Sequence, residues 1–249
     1  MVKYDGFDFN PYLHISNINR PLLPPQDIMD KTIIGRHGAY FLAKRHEPIT
    51  ISVEVFFHED LELTFREKTR LIAGNLNKQE PKRLIFDDEP NVYIEGIIRD
   101  STEINNLVKS GETTLNFWCP EPYYYEIEDE VFTFSGTGGY DFTREKGNVE
   151  SFPRIEIDGT NSIGEIIVET DDTSITFDGN LESGETLVFD SKLITAYIVQ
   201  KDGTTRSAND DIDTMDFPLL QVGANHLDVS ATGNATVEQI RVYANSMWV

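Results

Sequence analysis

The hydrophobic and polar positions of the chain repeat mostly with a period of two. Ile49-Thr50-Ile51-Ser52-Val53-Glu54-Val55-Phe56-Phe57 alternates apolar and polar residues, as a strand with one buried face does. The same signal returns in Leu84-Ile85-Phe86, in Val92-Tyr93-Ile94-Glu95-Gly96-Ile97-Ile98 and in Thr113-Thr114-Leu115-Asn116-Phe117-Trp118. One stretch changes period. Thr64-Phe65-Arg66-Glu67 has the form of a capping box, in which Thr64 and Glu67 satisfy free donors at a helix start. Phe65, Ile72 and Leu76 then recur near helical spacing and give one apolar stripe, and Pro81 marks the latest end of that helix. A single helix set among strands is not the alternating order of a parallel α/β fold.

Between Arg20 and Gly38 periodicity is weak, and Pro21, Pro24 and Pro25 interrupt it, so this segment reads as a long extended arm. Such an arm is a surface loop in a monomer and often lies on a neighbour in an oligomer. The organisation changes near Pro120-Glu121-Pro122-Tyr123-Tyr124-Tyr125, where an acidic run leads to Val131-Phe132-Thr133-Phe134 and then to Ser135-Gly136-Thr137-Gly138-Gly139, the best linker candidate. Beyond it come short strands separated by turn signals. Pro153-Arg154-Ile155-Glu156-Ile157 is expected to end at Asp158-Gly159, and Ser174-Ile175-Thr176-Phe177 at Asp178-Gly179-Asn180. Glu185–Asp190, Ala196–Gln200 before Lys201-Asp202-Gly203, His226–Ser230 and Thr236–Tyr243 complete a set that predicts an antiparallel β-sandwich. The fold class is therefore mainly β, with residues 1–130 as a β-rich domain holding one helix and residues 131–249 as the sandwich.

Charge narrows the choice of partners. The 249 residues carry a formal net charge of -22, with 14 Lys/Arg against 23 Asp/Glu in residues 1–130 and 7 against 20 in residues 131–249. Nucleic-acid affinity comes mainly from cations that displace counterions at phosphates, and no basic stripe supplies them. Tight nucleic-acid binding is not expected. Cys119 is the single cysteine, so no internal disulfide supports the fold, and its place in Phe117-Trp118-Cys119-Pro120 reads as packing. The N-terminus lacks the apolar core of a signal peptide, and no run approaches the roughly 18 apolar residues of a membrane span. The expectation is assembly in the cytoplasm with no membrane anchor.

Catalytic and metal chemistry find little footing. His14, His37, His46, His58 and His226 form no His-Glu-x-x-His or Cys-x-x-Cys arrangement, so the usual zinc spacing is missing. No Gly-x-Ser-x-Gly nucleophile motif occurs, and the glycines at 136, 138 and 139 do not open a phosphate-binding helix. Asp210-Asp211-Ile212-Asp213-Thr214-Met215-Asp216 lacks the glycine and terminal glutamate of a calcium loop and reads as a solvated acidic loop. No catalytic residue, cofactor or metal ligand is assigned. Sugar binding is the rival reading: His226 follows Asn225, without a matching arginine run, and Trp248 is nearly terminal and more readily packs the last strand.

The order of these features resembles the siphophage distal tail protein family, often called Dit. The resemblance begins at Asp5-Gly6-Phe7-Asp8 and Tyr12-Leu13-His14-Ile15. It runs through the proline-containing arm, Gly35-Arg36-His37-Gly38, the Ile49–Phe57 strand and the helix with Arg70-Leu71-Ile72-Ala73-Gly74-Asn75-Leu76-Asn77. It continues in Lys82–Pro90 and in Gly111–Phe117 with Cys119-Pro120-Glu121-Pro122-Tyr123. Gly147-Asn148-Val149-Glu150-Ser151-Phe152-Pro153, Phe217–Asn225 and Met247-Trp248 carry it through the second half. Order and spacing carry the likeness; no single motif does.

That resemblance implies a structural virion protein at the distal end of the tail, assembled in the bacterial host cytoplasm. Residues 1–130 would form a ring of six copies that meets the tail tube on one face and the tail-associated hub or fibre protein on the other. DNA would cross the ring without binding tightly. The second domain would be a galectin-like sandwich projecting outward, with little over 100 residues and no room for an inserted module. The expected oligomer interface comprises Pro21, Leu22, Leu23, Pro24 and Pro25 of the arm, with Ile51, Val53 and Val55 of a strand whose edge pairs across subunits; Val92–Ile98 is a second such edge. The alternative is a lectin-like host-surface glycan-binding component of the tail tip.

Overall fold

The computed structural model describes residues 2–57, 63–99, 105–107 and 110–249, and the chain divides into two compact units, one of residues up to 127 with Val249 and one of residues 128–248. In the first unit the strands are β1 (Val2–Tyr4), β2 (Phe7–Asp8), β3 (Leu13–Asn19), β4 (Gln26–Thr32), β5 (Ala39–His46) and β6 (Ile49–Phe57), followed by helix α1 (Phe65–Leu76). After the helix come β7 (Lys82–Phe86), β8 (Glu89–Ile98), β9 (Asn105–Leu107), β10 (Ser110–Cys119) and β11 (Tyr124–Glu126). The main sheet runs β2-β1-β7-β8-β10-β6-β3, with β9 on β10 and β11 on β8, while β4 and β5 pair only with each other.

Alternation in sequence becomes a core through register. Ile51 stands opposite Phe117, Val53 opposite Leu115 and Ile49 opposite Cys119, so one face of the β6–β10 pair is continuously apolar. Leu84, Ile94, Ile72 and Leu76 join that cluster. Each fully buried side chain of this kind contributes roughly 1.5–3 kcal/mol. Tyr4 is wholly buried there; its hydroxyl donates to the Gly96 carbonyl at 3.1 Å, and burial pushes its pKa up to about 12. The capping box is present: the Glu67 amide donates to Thr64 Oγ1 at 3.4 Å, and the Thr64 amide donates to Glu67 Oε2 at 2.8 Å. Phe65 meets Phe57 edge-on at 5.1 Å, while Ile72 and Leu76 complete the buried stripe. The helix stops at Leu76, short of Pro81.

The second unit contains β12 (Val131–Ser135), β13 (Gly138–Arg144), β14 (Arg154–Thr160), β15 (Ile166–Thr170), β16 (Ser174–Phe177), β17 (Thr186–Asp190), β18 (Thr195–Val199), β19 (Thr205–Ser207), β20 (Gly223–Ala231) and β21 (Thr236–Tyr243). A six-stranded sheet runs β12-β21-β14-β17-β18-β19 and a four-stranded one β13-β20-β15-β16. Ile155, Ile157, Phe189, Ile198 and Val242 from the first share one core with Val168, Phe177, Leu227 and Val229 from the second. The unit is an antiparallel sandwich. Arg144 is buried at its margin, where Nε donates to the Gln221 carbonyl at 3.1 Å and Nη2 to the Val149 carbonyl.

Two turn expectations are corrected. Ser135–Gly139 does not link domains; it is the turn that carries the chain from β12 in one sheet to β13 in the other, and the unit boundary precedes it. Asp158-Gly159 is not a hairpin turn either. It is a bulge inside β14, where the register against β21 shifts. A Cβ on Gly159 would stand 2.0 Å from the Thr236 carbonyl oxygen, so close strand approach rather than turning requires the glycine.

Gly159→Ala is expected to force β14 and β21 apart and to cost about 1–3 kcal/mol; an unchanged denaturant midpoint would show that the bulge relaxes freely. Ile72→Asp places an unpaired charge beneath the helix. The N-terminal unit of that variant should lose its cooperative melt while the sandwich transition persists, and a native-like melt of both units would contradict the packing of this stripe.

Candidate assembly surface

Of the residues expected to lie at an oligomer interface, three are placed in the core. Ile51, Val53 and Val55 are at most 1% exposed, and β6 has β10 on one side and β3 on the other. They hold the unit together and offer neither side chains nor a free edge to a neighbour. The reading of this strand as a pairing edge is corrected for that reason. Val92–Ile98 offers no long free edge either: it lies within β8, with β7 on one side and β11 and β10 paired to its two ends on the other. Alternation announces a buried face, and it says nothing about which strand stands at an edge.

The segment from Pro21 onward is placed differently. Pro24 is buried, whereas Pro21, Leu22, Leu23 and Pro25 are exposed, Leu22 at 93%. The segment expected as an extended arm, residues 20–38, folds from Gln26 onward into a β-hairpin with Ala39–His46. Gln26 pairs with His46, Ile28 with Lys44 and Thr32 with Ala39, and a bulge falls between Met29 and Asp30. Residues 33–38 form the tip, with Gly35 and Gly38 both in the left-handed region that L side chains avoid. At the base the Glu47 amide donates to the Pro25 carbonyl at 2.8 Å, and His46 Nδ1 lies 3.0 Å from the Tyr123 hydroxyl. Arg45 pairs with Asp27 at 3.0 Å, and the Arg36 guanidinium sits 4.6 Å over the Tyr40 ring.

What this hairpin lacks is a core. Phe41 is 66% exposed and Leu42 61%, and Ile28, Met29, Ile33, Ile34 and Tyr40 are exposed as well. Neighbouring residues of a regularly paired strand point to opposite faces, so the pairs Ile28-Met29 and Tyr40-Phe41 put apolar surface on both sides. A free two-stranded hairpin is marginal in water, and contiguous exposed apolar surface of this kind marks an interaction site. The doubled apolar pairs flanking two glycines were the available sequence signal; against a template of strict alternation they read as weak periodicity.

The remaining candidate side chains are scattered. Cys119 is fully buried and its thiol is pushed up to about 12 by burial, which makes it inert at neutral pH. His37 lies in the hairpin tip, His14 in β3, and His58 falls outside the described residues. Among the described residues no three His, Cys, Asp or Glu side chains converge as metal ligands. In the acidic loop, Asp213 Oδ1 accepts the Thr176 amide at 2.7 Å. Asn225 and His226 share no face: Asn225 is buried and bonded to the backbone of Gln221 and Gly223, while His226 faces outward with Nδ1 2.7 Å from Asp141 Oδ1. Trp248 is half-buried.

Two family models match the chain. Residues 11–119 match the phage tail protein RIFT-related domain, and residues 146–242 match the C-terminal domain of the siphovirus-type tail component. The distal tail protein of Bacillus phage SPP1 is 23% identical over 137 residues, which is 54% of this chain and 54% of that relative. The alignment thus spans about half the length of that curated relative. In fold, the crystal structure of the SPP1 Dit protein superposes with a TM-score of 0.77 at 15% identity, covering 100% of this chain and 98% of that one. A chain of the phage p2 baseplate in its activated conformation gives 0.53 at 12% identity, covering 95% and 92%.

The hydrogen bond that His226 donates to Asp141 raises its pKa above the ordinary 6.5, and Asp171 and Asp228 add to the shift. A raised folded value means that the pair stabilises fully below the unfolded pKa and is lost as pH rises through the folded one. A proton NMR titration should place the His226 midpoint above 6.5 and bring it down in Asp141→Asn. A midpoint that stays put in the variant would remove the pair as the cause.

Proposed function

Because the chain belongs to the siphophage distal tail protein family, and is therefore a structural, non-enzymatic component of the distal end of the virion tail, we propose that its N-terminal unit closes into a six-membered hub ring through the β4–β5 hairpin. The observation that carries this reading is the hairpin's apolar surface, exposed on both faces and joined to its own unit only at the base. A second copy of the chain is the occupant that a ring supplies at every position. The contact is head-to-tail: the hairpin of one copy lies on the next, and a rotation that closes gives a ring rather than a filament.

Pro21, Leu22, Leu23 and Pro25 feed into the hairpin and belong to this interface, while Pro24, buried in its own copy, anchors the root. Prolines at its root restrict the free chain and so reduce the entropy lost on docking. On this reading one ring face meets the tail tube and the other meets the tail-tip hub or fibre protein. The net charge of -22 per copy fits a channel through which DNA slides without adhering.

The test is native mass by light scattering with negative-stain imaging of the same sample, alone and with purified tail tubes. Six-fold rings are expected in at least one of the two conditions. The double variant Phe41→Asp, Leu42→Asp should abolish them while leaving both thermal transitions in place, because neither side chain supports the core of its own copy. Rings of unchanged mass in that variant would overturn the hairpin as the joint, and a monomer in both conditions would overturn the ring itself.

A further inference from the structure

Copies of a chain with a net charge of -22 repel one another, so their assembly needs a local attraction. The β4–β5 hairpin is a place where the charge changes sign. Residues 31–46 hold Lys31, Arg36, Lys44 and Arg45 and no carboxylate. With Asp27 and Asp30 counted, residues 26–46 carry +2, and the rest of the chain carries -24. Residues 66–83 are also basic, but most of their cations are engaged: Lys68 is buried, Lys78 pairs with Asp5 at 2.6 Å, Lys82 with Glu80 at 2.5 Å, and Arg83 lies 4.2 Å over the Tyr93 ring. In the hairpin, Arg45 pairs with Asp27, whereas Lys31, Arg36 and Lys44 have no carboxylate partner among the described residues. The excess lies on one face. Asp27, Met29 and Lys31 alternate onto the same side of β4, with Arg45, Ala43 and Tyr40 opposite them, and Arg36 sits over Tyr40. Once Asp27 has cancelled Arg45, Lys31 and Arg36 remain beside the exposed Met29 and Tyr40. The other face, with Ile28, Phe41, Lys44 and Asp30, is neutral.

We propose that this charge gives the joint its direction: Lys31 and Arg36, with Met29 and Tyr40, dock on acidic surface of the next copy, and the same cations keep two hairpins from docking on each other. The proposal rests on the reading of the hairpin as the ring joint. An apolar hairpin has an obvious competitor for its neighbour, namely another hairpin. Strands β4 and β5 pair only with each other, so each has an outer edge open to a like strand. A self-complementary contact of that kind would cover the same apolar side chains and stop at a two-fold dimer. Such a contact sets +2 against +2, whereas the head-to-tail contact sets +2 against a body at -24. The Debye length is about 10 Å at 0.1 M salt, so the repulsion acts through the thickness of a hairpin whichever faces meet. Like charges brought together at a contact suppress the wrong pairing, and opposite ones speed the right encounter. A phosphate surface, of DNA or of lipid, attracts Lys31 and Arg36 as well, but it repels the body that carries them. A second copy attracts the hairpin with the acidic surface that makes up the rest of its chain.

The test follows the full chain by time-resolved light scattering and analytical ultracentrifugation, in whichever condition gives rings, from about 0.05 to 0.5 M sodium chloride. Ring formation by the wild type should slow about tenfold or more across that range. The double variant Lys31→Gln, Arg36→Gln keeps Met29 and Tyr40 in place. It should form rings about tenfold more slowly at low salt, lose most of the salt dependence, and accumulate dimers that do not grow into rings. Two unchanged thermal transitions show that both its units fold, and the wild-type salt series needs no variant at all. Ring formation at one rate across the salt series, or unmoved in the double variant, would overturn the inference and leave the hairpin as the joint. Wild-type chain that stays out of rings and sediments with phosphatidylglycerol vesicles would reassign the basic face to a lipid phosphate and overturn it as well. A wild type that is monomeric in every condition would remove the ring itself, and this inference with it.

Discussion

Burial of one face of each antiparallel sheet is the constraint from which the rest of this molecule follows. A strand's side chains alternate, so a fixed register turns an apolar–polar sequence into one dry face and one wet one. In the first unit the opposition of Ile51 to Phe117 and of Val53 to Leu115 makes that face, and helix α1 is positioned because Ile72 and Leu76 have it to cover. In the second unit the two sheets serve each other. The outward-facing His226–Asp141 pair lies on the other side of one of these sheets, so its position is set by a core it does not touch.

The β4–β5 hairpin departs from that rule. It has strand pairing without a dry face, and Ile28, Met29, Phe41 and Leu42 belong to no core among the described residues. The opposite departure occurs on the outer face of the six-stranded sheet, where a salt-bridged array nearly conceals Val188. One exception exposes what folding normally hides. The other hides an apolar residue on a face that folding leaves open. Only the first marks a surface that intramolecular packing does not account for.

The legible part of the sequence was the part governed by local periodicity and capping chemistry. Ile49–Phe57, the Thr64–Glu67 box and the Phe65-Ile72-Leu76 stripe all have causes within a few residues, and each is where the pattern put it. Less legible were features decided by partners far along the chain. Gly159 looks like a turn glycine until Thr236 is set beside it. Ile51, Val53 and Val55 look like an available edge until β3 and β10 occupy both sides. Ala39–His46 was missed as a strand because a hairpin exposed on both faces needs no alternation. The array of Arg154, Glu156, Asp158 and Arg241 shows in sequence only as two charged alternations about eighty residues apart, and register alone makes them neighbours.

The hairpin's weak attachment has a consequence for the protein's life in the cell before assembly. The hairpin is tied down mainly at the base, by the Glu47 amide to the Pro25 carbonyl and by the His46 and Tyr123 side chains, and local opening of such an element costs far less than global unfolding. A newly made, solitary copy therefore displays an apolar, easily opened strand pair of the sort that chaperones hold and proteases cut. In the proposed ring a neighbour covers that segment, so an unassembled copy would be the more readily cleaved form.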